Sequence, residues 1–425
     1  MSRLNQPLIT ALTWSTCSIA LMPAVPYLIN SLCMIIWACL AVLCAFLGSG
    51  RQDTPEKPQR RTLFLLFGGN FLFFAAALIY SRDVQTGISF LVSELPMFLF
   101  PFCIFWLGLP IADKAGLLQK VFSVFWCSTC ILTLWIFYNF WHLHLFSEFG
   151  RASSFNTILR ETAEAVTDKH PDYISIYLVF SIFIAATRLL APGSPLKRVV
   201  YGLSIPLFLL LLLILAARNP ILALMIGSVI ICFMRIRSRR AKWAVSILLT
   251  VFLLVSIRYT PAIYSRIVEV KNTQLSTPVG VYFNSTNIRV GIYKCTWELI
   301  RHHPLQGVGT GSEQQLLNAC YSGFPTDAYK KVTYNTHNQY ANFWLVSGIF
   351  SLLLFLGALA YTFYLGVTRK NYDLLFFSIV MDIAFLSENI LSRQAGIAFY
   401  YFFLCLMVHC TLARQQQPVT GKAAR

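Results

Sequence analysis

Residues 203–242 read LSIPLFLLLLLILAARNPILALMIGSVIICFMRIRSRRAK, and this stretch decides the fold. An apolar run is broken at Arg218-Asn219-Pro220, a second run follows, and Arg235, Arg237, Arg239, Arg240 and Lys242 close it. A helix needs about 17–25 apolar residues to cross roughly 30 Å of hydrocarbon, where its backbone polar groups are satisfied only within the helix. Two such runs, joined by a short polar turn and ended by a basic cluster, are the signature of a chain that crosses a membrane repeatedly.

The rest of the chain agrees. It is 57% hydrophobic and 12% charged with a mean hydropathy of +0.63, which excludes an ordinary soluble domain. The reading is an all-α integral membrane protein of about twelve transmembrane helices. The expected spans are 10–28, 31–49, 62–80, 89–110, 119–140, 172–191, 199–217, 220–235, 243–257, 338–366, 373–389 and 395–412. Arg3 precedes the first apolar run, but the second follows at once without a small-residue cleavage site, so the first is expected to be an uncleaved helix.

Alternate short loops collect basic residues: Arg51, Lys57, Arg60 and Arg61; Lys114 and Lys120; Arg188, Lys197 and Arg198; then the cluster from Arg235 to Lys242 and the pair Arg369 and Lys370. The positive-inside rule puts these loops and both termini in the cytoplasm, including a tail at 413–425. The same distribution accounts for much of the net charge of +17, so no nucleic-acid partner is expected. Ten of the twelve cysteines fall in or beside spans, where a thiol behaves as a small apolar group. Cys295 and Cys320 instead share an outer loop, where a disulfide and two free thiols are both open.

The domain division is therefore residues 1–257 as nine spans, with an outer loop at about 141–171; residues 258–337 as a large extracytoplasmic loop; and residues 338–412 as three more spans. The large loop is net basic on the side where topology does not require it, which suits an anionic substrate. Within it, Ile288 to His303 reads as an amphipathic helix ending at Pro304, with Gly307, Val308 and Gly309 forming a turn beyond it. Thr336-His337-Asn338-Gln339-Tyr340 then enters a span, which places His337 at the membrane surface as a candidate base.

These residues carry a resemblance. Arg289 opening a Trp-containing helix that ends in His-Pro-Leu-Gln-Gly-Val-Gly, followed by His337-Asn338-Gln339-Tyr340, resembles the O-antigen ligase family, with its related O-antigen polymerases and bacterial O-oligosaccharyltransferases. Arg218 in Ala-Arg-Asn-Pro and the segment Glu388 to Gly396 fit the same pattern over residues 200–400. The resemblance implies glycan transfer from an undecaprenyl-diphosphate carrier to a sugar of the lipid A-core, on the periplasmic face of a Gram-negative inner membrane. It maps the family's essential residues onto Arg218, Arg289 and His337.

The chemistry asks for such groups. Guanidinium stays charged and its planar fork matches phosphate oxygens, so Arg218 and Arg289 are assigned to the diphosphate. An imidazole is suited to take a hydroxyl proton near neutral pH, and this role falls to His337. One displacement, inverting the anomeric carbon and requiring neither metal nor cofactor, is the simplest mechanism.

Asn338, Trp297, Tyr340, Glu388 and Arg393 are further substrate-binding candidates, although Glu388 and Arg393 equally suit a mutual ion pair, and the aromatics equally suit the membrane interface. Glu94 and Asp382 are weaker candidates. His302 and His303 are adjacent on a helix and point apart, which disfavours a metal site. A compact chain of 425 residues without a large soluble outer domain favours a ligase over a protein O-oligosaccharyltransferase, with an O-antigen polymerase as the runner-up. A lipid-linked glycan transporter, from another class, would require polar groups near the bilayer midplane and two repeated halves.

Overall fold

In the computed structural model the described residues are 5–47, 57–109, 113–145, 155–245, 247, 250–251, 276–281, 283–330 and 332–413. Among them there is no strand, and one isolated bridge joins Gly280 to Thr326. The helices are α1 (Asn5–Ile19), α2 (Tyr27–Phe46), α3 (Lys57–Ala77), α4 (Val84–Pro101), α5 (Lys114–His142), α6 (Phe155–Thr167), α7 (Pro171–Leu189), α8 (Pro195–Ile214) and α9 (Arg218–Arg235). After them come α10 (Ser285–His302), α11 (Glu313–Tyr321), α12 (Gln339–Ser347), α13 (Ile349–Thr368), α14 (Tyr372–Phe385) and α15 (Gln394–Ala413).

Nine helices among the described residues are long and apolar enough to cross a membrane: α2, α3, α4, α5, α7, α8, α9, α13 and α15. The chain is thus a multi-pass membrane protein. The expected span 10–28 corresponds to the 15-residue α1, which stops at Ile19 ahead of Pro23 and Pro26. The expected span 373–389 corresponds to the 14-residue α14, which stops at Phe385. Of the expected span 243–257, residues 243–245, 247 and 250–251 are helical, and 252–257 lie outside the described residues.

The expected span 338–366 is two helices, because Gly348 breaks it with φ +85° and ψ −179°. Only glycine adopts that backbone without strain. A Cβ there would meet the Leu305 carbonyl oxygen at 1.9 Å, and the Ile349 N–H donates to the Pro304 carbonyl at 3.1 Å. The turn after α10 is therefore wedged into the bundle, and the break in the apolar run is made by residues more than forty positions away.

Helix starts follow local chemistry. Asp113 accepts from the Gly116 N–H, Asn338 from Ala341 and Asn371 from Leu374, while proline opens α7 and α8. The centre of the bundle is α15, which is buried at every residue from Ala395 to Leu412. Phe399 and Phe403 pack there against Phe125, Phe180 and Phe377. Close packing of this kind holds helices together where lipid offers no hydrophobic driving force.

The segment 276–338 has its own small core of Ile288, Ile292, Cys295, Ile300, Leu317 and Tyr321. Cys295 and Cys320 form a disulfide that ties α10 to α11. Val308 and Gly309 donate their N–H groups to the Leu345 and Val346 carbonyls of α12 at 2.8 and 3.0 Å. Thr310 Oγ1 donates to the Phe74 carbonyl at 2.7 Å. Gly311, at φ +93°, passes so close to α4 that a Cβ would lie 2.4 Å from the Gly87 nitrogen. This unit is thereby anchored on α3, α4 and α12.

Candidate active site

Arg218 is the first residue of α9, and the turn before it is strained: Ala216 has φ +49°, in the left-handed region. Such outliers concentrate where the surrounding structure imposes them. Ala217 at the N-cap makes no side-chain cap bond, and the first turn of α9 brings its partial positive charge beside Arg218. Arg289 stands in the second turn of α10, whose start is fixed by a reciprocal pair: Asn284 Oδ1 accepts from Asn287 N–H at 3.0 Å and Asn287 Oδ1 from Asn284 N–H at 2.9 Å. The predicted helix 288–303 is the observed Ser285–His302, three residues longer at its start.

Arg218, Arg289 and Glu388 line one cavity of about 210 Å3 together with Arg160, Asp172 and Ser285. Glu388 joins two of the predicted residues. Its Oε1 accepts from Arg289 Nη2 at 3.1 Å, and its Oε2 lies 3.1 Å from His337 Nδ1. The expected pairing of Glu388 with Arg393 is replaced by these two bonds. Burial works to raise the Glu388 carboxyl, but the hydrogen bond from His337 and the charges of His337 and Arg289 outweigh it, and the group is held below the ordinary glutamate range.

An ionised carboxylate only accepts, so the His337 Nδ1–H is directed to Glu388, and Nε2 is the ring nitrogen turned away from it. His337 itself has φ +44°. Its N–H donates to Asn335 Oδ1 at 2.9 Å, and its carbonyl accepts from the Tyr293 hydroxyl at 3.5 Å. Asn338 caps α12 with its Oδ1 and donates through Nδ2 to the Leu386 carbonyl at 3.1 Å.

Four of the predicted binding residues stand apart from the cavity lining, Asn338 and the three that follow. Tyr340 donates to the Asp382 carbonyl at 3.0 Å and packs on Phe355 and Phe385, which makes it a bundle residue. Trp297 lies two helical turns beyond Arg289 and meets Trp344 edge-on, with ring centroids 5.8 Å apart. Arg393 is exposed, and its carbonyl accepts from Gly396 N–H at the start of α15.

Sequence reasoning missed Arg160 and Asp172. Arg160, on α6, donates through Nη1 to the Leu215 carbonyl and places Nη2 3.6 Å from Asp172 Oδ1. Leu215 directly precedes the strained Ala216, so one guanidinium both lines the cavity and pins the turn that presents Arg218. The only sequence signal was an arginine on a strongly amphipathic outer helix.

The fold and site define a multi-pass helical membrane protein with an arginine-lined cavity beside a histidine–glutamate pair. The O-antigen ligase family model matches residues 203–356, so this segment of the chain is similar to that family. Arg218, Arg289 and His337 lie inside the matched segment; Arg160 and Glu388 lie outside it. Comparison with curated proteins returned no match.

Proposed function

We propose that the protein transfers O-polysaccharide from undecaprenyl diphosphate to a sugar hydroxyl of the lipid A-core, on the periplasmic face of the inner membrane with both termini cytoplasmic. The observation that carries this reading is the cavity shared by Arg160, Arg218 and Arg289 at the N-terminus of α9, next to the His337–Glu388 pair. Asp172 and Glu388 offset part of that charge, so the cavity favours a compact dianion over an extended polyanion.

The acceptor oxygen attacks the anomeric carbon of the donor while its proton passes to His337 Nε2. The sugar–phosphate C–O bond breaks, its electron pair stays on the diphosphate oxygen, and the anomeric centre inverts. Arg218, Arg289 and Arg160 stabilise the charge that grows on the leaving diphosphate. Glu388 holds the imidazole in the right tautomer and stabilises the imidazolium that forms.

Reconstitution with undecaprenyl-diphosphate-linked O-polysaccharide and lipid A-core tests this, with both products followed by gel in wild type, His337→Ala and Arg289→Ala. Glycan on lipid A-core in wild type and its loss in both variants is the expected result. Longer carrier-linked chains with unmodified core would make the protein a polymerase.

A further inference from the structure

The backbone of His337 requires something to hold it. Its left-handed φ of +44° is a conformation that a side chain with a Cβ leaves unless its neighbours are fixed. Those neighbours are Thr336 and Asn338, and one buried side chain reaches both. Asn389 Oδ1 accepts from the Asn338 N–H at 2.8 Å. A backbone N–H only donates, so the opposite end of that amide, Nδ2, is the donor to Thr336 Oγ1 at 2.9 Å. The Thr336 hydroxyl has one proton to give and two acceptors in reach, the Asn338 carbonyl at 3.1 Å and Asn389 Oδ1 at 3.0 Å. Each group in this closed ring has a donor matched to an acceptor. Thr336 is 0% exposed and Asn389 5%, so water does not replace a missing member freely. A further bond, Leu391 N–H to Gln339 Oε1 at 2.7 Å, joins the same two segments just beyond the ring.

We propose that Asn389 is the positioning residue of the proton-transfer step, locking residues 336–338 around His337 so that its imidazole meets the carboxylate of the preceding residue, Glu388. This rests on His337 being the base. Two consecutive residues thus divide the work, Glu388 orienting the ring and Asn389 fixing the backbone that carries it.

The test uses the full chain in the reconstituted transfer assay, with Asn389→Leu, which keeps volume and removes both bonds, and Thr336→Val and Thr336→Ser, which open the ring or leave it closed from the other side. A misplacement on the order of 1 Å costs about 100-fold in rate, so Asn389→Leu and Thr336→Val are expected to lower kcat about 10- to 100-fold with the donor KM unchanged. Thr336→Ser should restore the turnover that valine removes. Combining Thr336→Val with Glu388→Gln should be no slower than Glu388→Gln alone, because both act through one imidazole. If Asn389→Leu fails to fold, the Thr336 pair decides. Thr336→Val as fast as wild type, in preparations where His337→Ala is dead, overturns the lock and leaves the base intact. Full activity of His337→Ala overturns both.

Discussion

Glu388 Oε2 and His337 Nδ1 lie 3.1 Å apart although 51 residues separate them in the chain. The imidazole is thus held on one side, and its second nitrogen is the one the proposed proton transfer would use. Glu388→Gln keeps the shape and removes the charge, and an amide imposes no single tautomer on the ring. Turnover is expected to fall about 100-fold or more, with the donor KM little changed, in steady-state transfer kinetics.

The pH dependence follows from the same pair. Glu388 is held below the ordinary glutamate range, so its contribution is complete above that range and is lost only as pH falls through its lowered value. Between about pH 8 and pH 5 it stays a carboxylate, so its contribution to turnover is expected to be constant across that window in a steady-state pH profile. A fall in rate there that is present in wild type and absent in Glu388→Gln would overturn this.

Arg160 predicts a result that a headgroup-seeking surface arginine would not give. Arg160→Ala leaves Leu215 without its donor beside Ala216 and takes a cation from the cavity. Donor KM should rise roughly 10- to 100-fold, matching the about 1.5–3 kcal/mol of a hydrogen bond to a charged group. Arg160→Lys should recover little, since one ammonium does not serve the Leu215 carbonyl and Asp172 in the same planar geometry.

The Cys295–Cys320 bridge closes a sequence separation of 25 residues within the small core that carries Arg289. Cys295→Ser with Cys320→Ser should cost that unit about 2–4 kcal/mol. Limited proteolysis with and without reductant measures it: cleavage within 283–330 should accelerate on reduction in wild type and be reductant-independent in the double variant.

Gly348→Ala forces a Cβ onto the Leu305 carbonyl and a left-handed backbone onto alanine. A penalty above about 1–2 kcal/mol is expected, read as a lower thermal midpoint in detergent.

Much of this was legible from the chain because membrane helices announce themselves by local composition. Arg218, Arg289, His337 and Glu388 stood out since each is a polar residue at an apolar edge, or on the one amphipathic helix of a long outer loop. What was hidden depends on distant partners. The break at Gly348 is made by Pro304 and Leu305. Arg160 is an unremarked arginine until α6 folds against the end of α8, and Asn389 reads as an ordinary turn residue until Thr336 and Asn338 meet it. Tyr340 suited stacking on a sugar and Arg393 stood in the Glu388–Gly396 segment, yet Tyr340 is packed into the bundle and Arg393 lies outside the cavity lining.

The uneven covering of the helices gives the cavity two sides with different sensitivities. α15 is enclosed by protein along its length and follows directly from the Glu388–Asn389 turn, whereas α8, which leads into the Arg218 turn, has only 22% of its apolar window buried. A change in bilayer thickness or detergent should therefore act first on the arginine-bearing arm, the one proposed to hold the donor. The arm proposed for proton transfer is enclosed by the bundle, so on this reading affinity for the donor should vary from one lipid environment to another while turnover at saturation stays the same.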